Sequence, residues 1–254
     1  MSEAVGTADI LVVERLGEIE RVTLNRPERL NALNQPLTEA LLAYFEGLRR
    51  NRETRVVILR GAGRAFCAGA DLKAAATPEA LRDGPNGDWT LRDMQKAMRA
   101  CPQPIIALVR GAAAGGGLTI ALAADIVVAS ESAAFHPAFL AIGLSGAELG
   151  VRWRLQRAIG VSRAREMLLA GRPLRAEAAL AAGLVSAVTP EAELDAYGEA
   201  LAADMLKARP DALRLTKRTL DAALESPSLE VAYELEERAQ MLMIARRGPA
   251  PDRG

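Results

Sequence analysis

Residues 111–130 read GAAAGGGLTIALAADIVVAS. Small residues end in Gly115, Gly116 and Gly117, an apolar segment runs over 118–124, and Asp125 precedes Ile126, Val127 and Val128. The apolar run 104–109 ahead of them reads as a strand, so the glycines fall where a strand hands over to a helix. Such a junction leaves the first N–H groups of the helix without intrahelical acceptors. The positive end of the helix dipole adds to their attraction for an anion, or for a carbonyl oxygen that gains charge. Successive glycines let a ligand approach the backbone without side-chain interference. The same triplet serves equally to pack a helix tightly on a strand or to make a plain turn, and a short glycine motif alone does not separate these uses.

Working outward, residues 9–15 and 18–25 are β-branched, partly alternating segments about Leu16 and Gly17, a hairpin pattern that Arg26 and Pro27 end. Leu37, Leu41, Tyr44 and Leu48 recur at helical spacing after Gln35 and Pro36. Residues 55–60 have the continuous apolar character of a parallel-sheet strand. They run directly into a second glycine-rich turn, 61–71, again between strand and helix. Pro78, Gly84, Pro85 and Gly87 mark 74–88 as a mobile loop before a helix over 89–100. Beyond the central stretch, 133–139 leads to a turn at 143–146. Helices follow at 147–159, at 163–170 with Ser162 as its cap, and at 176–182, then a last strand at 184–188. From Pro190 onward only helical periods remain: 194–208, a helix after Pro210 with Leu213, Leu220 and Leu224 in phase, and 229–245. Such a region needs a surface to pack on, either its own core or a neighbouring subunit. The Gly- and Pro-rich tail 248–254 reads as disordered.

A chain of 254 residues, half hydrophobic and 25% charged, has the balance of a soluble globular protein able to bury a large core. Lys and Arg equal Asp and Glu at 32 each, which leaves no global field to draw nucleic acid or an anionic membrane. Cys67, Cys101 and the single His136 give neither a disulfide framework nor a metal-ligand spacing. The longest uncharged apolar run, 111–124, falls short of the roughly 20 residues that span a bilayer, and the N-terminus lacks a basic-then-apolar signal. The expectation is a cytoplasmic protein without membrane insertion.

Three stretches in order, LNRPERLNAL at 24–33, AFCAGADL at 65–72, and Gly115-Gly116-Gly117 with AADI at 123–126, resemble the enoyl-CoA hydratase/isomerase, or crotonase, superfamily. Arg172-Pro173, Glu177-Ala178 and 182–185 extend the resemblance to about residue 246. It implies an α/β fold, a crotonase-like spiral of ββα turns over residues 1–190 that holds an acyl-CoA site. A helical region at 191–246 would then build homotrimers or hexamers, with a disordered tail at 247–254. It also implies an acyl-CoA thioester as substrate, no cofactor beyond the coenzyme A that enters with it, and no metal. Carried over by motif, the N–H groups of Ala70 and Gly116 form an oxyanion hole, agreeing with the free amides read from both turns. Arg29, Leu30, Ala32, Ala68, Asp71 and Leu72 lie along the path of the nucleotide and pantetheine. Arg29 could equally be a solvated charge, Asp71 a loop-capping carboxylate, and Cys67 a small buried filler.

The chain departs from the family where its hydratases carry two glutamates, because those positions hold Thr119 and Phe139. Neither can do carboxylate acid–base chemistry, a loss of about 100- to 10,000-fold per group. Glu148 remains, near the place where dienoyl-CoA isomerase and 4-chlorobenzoyl-CoA dehalogenase relatives carry a catalytic aspartate; it either serves as the acid–base or caps a helix start. Thr119 either contacts substrate or bonds within its own helix, and Leu118 and Phe139 would favour a bulky apolar acyl group. His136 reads as structural or as a supporting donor, Arg152-Trp153-Arg154 as a surface contact, and Lys217 and Arg218 as a solvated face or a phosphate contact. Two functions follow: an enzyme on an acyl-CoA thioester (isomerase, C–C bond hydrolase or atypical hydratase) or a non-catalytic acyl-CoA-binding protein.

Overall fold

The β-branched segments on either side of Gly17 fold back on each other. In the computed structural model, which describes residues 10–72, 88–224, 226 and 228–246, β1 (Leu11–Leu16) pairs antiparallel with β2 (Ile19–Leu24). Gly17, at φ 67°, supplies the left-handed residue of the tight loop. The 74–88 loop, apart from Asp88, lies outside the described residues, as do Lys73 and the tail 247–254.

Beyond the hairpin the sheet is parallel. β3 (Val56–Gly61), β4 (Ile105–Val109), β6 (Ile126–Ser130) and β9 (Ala187–Thr189) extend it in the order β1-β2-β3-β4-β6-β9. Each long strand then steps into a shorter inner sheet. β4 passes to β5 (Ala112–Ala114), β6 to β7 (Ala134–His136), and β3 to the bridge of Cys67 with Ala113. A two-residue strand, β8 (Leu174–Arg175), closes that sheet against β7. Strand, short strand and helix therefore recur as the turns of a spiral. The continuous apolar character of β4 has its reason here: Ile105, Ala107 and Val109 enter the main core, while Ile106 and Leu108 enter a second core on the reverse face.

Helix α1 (Gln35–Leu48) is capped by Asn34, whose side chain accepts from the Leu37 N–H, with Pro36 in its first turn. Its buried stripe is Leu37, Leu41, Phe45 and Leu48. Phe45 takes the deep position expected of Tyr44, whose ring is amphipathic and whose hydroxyl donates to Glu20 at 2.7 Å. α2 (Asp88–Ala100) and α3 (Gly116–Ala123) follow, the latter buried at every position, as a helix without a polar face must be.

α4 (Val151–Ile159) begins four residues later than expected. Leu149 at φ 50° and Gly150 at φ 74° form a reverse turn, closed by the Val151 N–H donating to Glu148 O at 2.9 Å, which keeps Glu148 out of the helix. α5 (Val161–Ala170) starts after Gly160, so Ser162 lies inside it and makes no side-chain cap. α6 (Ala176–Ala182) completes the main core. α7 (Leu194–Leu206) covers the reverse face of the sheet, where a Cβ on Gly198 would come within 2.8 Å of the Leu108 methyls. α8 (Pro210–Leu224) and α9 (Leu229–Ala245) pack on each other, and α9 has no buried residue.

Lys217 departs from both expectations for it. The ammonium is buried where α8 meets the core and donates to Gln103 O at 2.8 Å and Met98 O at 3.2 Å, with Asp125 Oδ2 at 2.9 Å. Asp125 also accepts from the Ile105 N–H and pairs with Arg99, which reaches Asp221. Arg218 is exposed. Removing one partner of a buried ion pair leaves the other uncompensated. Because Asp125 keeps two further donors, Lys217→Met is expected to cost about 3 kcal/mol, the low end for such a break, read as a lowered urea midpoint.

Candidate active site

Two side chains, Asn31 and Arg26, hold the loop after β2. Asn31, fully buried at φ 55°, accepts from the Arg26 N–H through Oδ1 at 2.9 Å and donates through Nδ2 to Ala62 O at 2.9 Å and Ala65 O at 2.8 Å. It ties residues 26–33 to the glycine-rich turn 61–71. Leu30, at φ 52° and half-buried, accepts from the Ala68 N–H at 3.0 Å. The Arg26 guanidinium donates to Ala32 O and to Asp71 Oδ2, the latter at 2.9 Å. The Asp71 carboxylate is thus paired within the protein, and Ala32 presents its carbonyl to the same cation. Arg29, Ala70 and Leu72 are exposed at the rim.

Leu33 and Ala70 form a parallel bridge: the Leu33 N–H donates to Gly69 O at 2.7 Å and the Asp71 N–H to Leu33 O at 2.9 Å. Both bonds flank Ala70, so its own N–H points away from Leu33, and it meets no acceptor among the described residues. Next to it, Gly69 adopts φ 88°, and a Cβ there would lie 2.7 Å from Ala114 O and 3.4 Å from Gly116 N. The two glycine turns are neighbours. Across the gap, the Gly115 N–H donates to His136 O at 3.0 Å, whereas the Gly116 N–H, at the N-terminus of α3, finds no acceptor among the described residues. Two amides without acceptors among the described residues thus stand on neighbouring turns.

The glycines of the triplet differ in purpose. Gly115, at φ 49°, makes the turn; a Cβ on Gly116 would sit 2.8 Å from Leu33 Cδ1 and 3.2 Å from Leu91 Cδ2; and one on Gly117 would sit 2.2 Å from Cys67 O. Tight packing and an open amide coexist in one motif. Cys67 is fully buried, and desolvation pushes its thiol up to about 12, consistent with a filler.

Thr119 is buried, and its hydroxyl accepts from Gln95 Nε2 at 2.9 Å while donating to Gly116 O at 2.8 Å. Its hydroxyl makes the bond within its own helix, one of the two uses weighed for it. Leu118 and Phe139 both lie in the main core. Glu148 is half-buried beside the left-handed Leu149, and its carboxylate has no hydrogen bond or ion pair among the described residues. The helix it precedes, α4, is fastened to α3 by Arg154 donating to Leu122 O at 2.8 Å. That arginine is therefore an internal cap, while Arg157 stacks on Trp153 with its guanidinium carbon 3.8 Å from the ring centroid. Asn31, Arg26 and Gln95 were given no part in the site from sequence. Asn31 carried one available signal, since Asn is among the few residues that tolerate left-handed backbone.

No group of three or more His, Cys, Asp or Glu among the described residues is placed to hold a metal ion, and no helix among them is long and apolar enough to cross a membrane.

Residues 14–247 match the family model described as enoyl-CoA hydratase/isomerase. The chain is 41% identical over 240 residues to a probable enoyl-CoA hydratase of Mycobacterium tuberculosis, covering 92% of this chain and 84% of that one. It is 35% identical over 224 residues to the 1,2-epoxyphenylacetyl-CoA isomerase of Escherichia coli, covering 87% and 85%. Among solved structures, an enoyl-CoA hydratase from Bacillus anthracis superposes with a TM-score of 0.88 at 32% identity, covering 94% and 92%. A monofunctional enoyl-CoA isomerase from M. smegmatis gives 0.77 at 37% identity, covering 89% and 99%.

His136 supports the site through its backbone, and its half-buried imidazole is held below the usual histidine range by desolvation and then by the Arg175 charge. The unfolded chain therefore takes up this proton first as pH falls. Stability from this group is fully present above pH ~6.5 and declines as pH drops toward the lowered folded value. His136→Gln is expected to flatten that part of the pH dependence, measured by denaturant titrations between pH 7.5 and 5.

Proposed function

The chain belongs to the enoyl-CoA hydratase/isomerase family, and from that premise we propose that it moves a double bond along the acyl chain of a CoA thioester, with Ala70 and Gly116 binding the thioester oxygen and Glu148 carrying the proton. It is an enzyme of this family acting on acyl-CoA. One observation carries the choice of reaction. Where hydration would need two carboxylates to hold and split a water, there stand a hydroxyl with two hydrogen bonds, Thr119, and a core phenyl ring, Phe139, which leaves the acid–base role to Glu148, a carboxylate without a partner among the described residues.

A single carboxylate suffices for isomerisation. Glu148 takes a proton from C2 of a 3-enoyl thioester, and the electron pair delocalises onto the thioester oxygen as a dienolate. The same carboxyl returns the proton at C4, giving the conjugated 2-enoyl thioester and the carboxylate again. No water enters, and protons balance. The dienolate charge falls on the oxygen that faces the Ala70 and Gly116 N–H groups, where donors fixed in advance act most strongly. Coenzyme A lies along Leu30, Ala32 and Ala68, with Arg29 and Leu72 at the rim and Asp71 holding that loop through Arg26. Leu118 and Phe139 shape the acyl end from behind, in the core. A solved relative named as a monofunctional enoyl-CoA isomerase is in keeping with this chemistry.

The oligomer is a homotrimer built by the C-terminal helices. In support, α9 exposes Leu229, Tyr233, Met241 and Ile244, each more than half accessible, on a helix with no buried residue of its own. Sedimentation velocity should give three times the chain mass, and Met241→Glu with Ile244→Glu should release single chains.

The activity test follows conversion of a 3-enoyl-CoA to its conjugated product by ultraviolet absorbance. Glu148→Gln should lower kcat by about 100- to 10,000-fold with little change in KM. Ala70→Pro, which deletes one donor, should cost about 100- to 1000-fold. Rapid hydration of crotonyl-CoA that survives in Glu148→Gln would overturn the assignment. Saturable binding without turnover of any thioester would move it to a carrier.

A further inference from the structure

We propose that Gln95 is a positioning residue for the carbonyl-binding site, acting through Thr119 on the two peptide groups that flank Gly116; this rests on Gly116 serving as a carbonyl donor. A donor carried on glycine is poorly fixed by its own torsions, because glycine has the widest backbone freedom. Preorganisation at this amide must therefore come from outside the residue. Thr119 grips both sides. Its backbone N–H donates to Gly115 O at 3.1 Å, on the same peptide that bears the Gly116 N–H, and its hydroxyl donates to Gly116 O at 2.8 Å, on the next. A carbonyl that accepts a hydrogen bond polarises the N–H across its own peptide, so the first of these also strengthens the donor.

The hydroxyl has one proton to give. It is committed to Gly116 O only if its other partner donates to it, and Gln95 Nε2, 2.9 Å away, can only donate. With the Gln95 amide turned over, two carbonyl oxygens would compete for that proton, so the satisfied arrangement runs one way: Gln95 to Thr119 to Gly116. Both side chains are sealed from solvent, Gln95 at 7% and Thr119 at 1% exposed, which removes water as a substitute partner. Leu91, four residues before Gln95 on the same face of α2, lies with Leu33 against Gly116, its Cδ2 3.2 Å from where a Cβ would stand. α2 thus clasps the donor at its carbonyl and at its Cα. Threonine at 119 is a working part of the site that fills the position of a missing carboxylate.

The test uses the full-length protein and two readouts. In 3-enoyl-CoA turnover, Gln95→Met and Thr119→Val should each lower kcat about tenfold, the worth of one buried hydrogen bond, with KM within twofold. Thr119→Ser should retain near-wild-type kcat, and the double variant should be no slower than Thr119→Val alone. Independently of turnover, butyryl-CoA labelled with 13C at the thioester carbonyl reports polarisation as a lowered C=O stretch on binding. Gln95→Met should move that stretch back toward the free value. A stretch lowered equally in wild type and Gln95→Met, multiplicative losses in the double variant, or a failure of Thr119→Ser to keep kcat would each overturn the positioning role. No lowering in wild type would overturn the Gly116 assignment, and this proposal with it.

Discussion

The architecture of the site depends on how closely the first turn of α3 approaches the Cys67 backbone. A methyl group at Gly117 would have to share space with Cys67 O at 2.2 Å, so hydrogen is the only side chain that lets the helix start there. That contact brings the β5-to-α3 junction against the turn after β3. The rest follows from it. Gly69 lies against Ala114 and beside the Gly116 nitrogen, and the Ala70 amide turns away from Leu33. Spreading the two loops by the width of one carbon would part the turns that carry these amides.

Charge is used in the same way, to fasten loops that carry few apolar residues. The chain is electrically neutral overall, yet its buried ions stand at joints. Arg26 and Asp71 join the loop after β2 to the turn after β3, and Lys217, Asp125 and Arg99 join α8 to the starts of β4 and β6. In each case backbone carbonyls or amides complete the coordination, which reduces the desolvation penalty that an ion pair alone would suffer. These joints sit at strand ends, where the sheet ladder stops and the backbone groups need other partners.

Local features were legible in the sequence because their causes are local. The β1–β2 hairpin follows from alternation about Gly17, α9 begins and ends where its caps and apolar period place it, and both glycine turns stood out as strand-to-helix junctions. The family and the spiral fold followed from the ordered motifs. What failed was decided by partners distant in the chain. Tyr44 and Phe45 are both apolar enough for the α1 stripe, and Glu20 on β2 decides between them. The late start of α4 depends on a left-handed leucine that no propensity favours. Lys217 looked like a surface cation because the carbonyls that bury it, those of Met98 and Gln103, lie more than a hundred positions away. Gln95 carried no motif; only the packing of α2 on α3 gives it a partner.

The complete burial of α3 separates what this scaffold can change from what it must keep. Every residue from Gly116 to Ala123 is packed on all sides, so replacing one demands a matching change in its neighbours. The segment around Glu148 is mostly exposed and is bonded chiefly through its own backbone, so apart from Leu149, which packs against the core, it accepts substitution with little change in packing. Descendants of such a chain could therefore exchange the residue proposed to carry the proton, and with it the reaction, in single steps. The proposed grip on the carbonyl would be inherited almost unaltered, as the fixed half of a two-part catalyst.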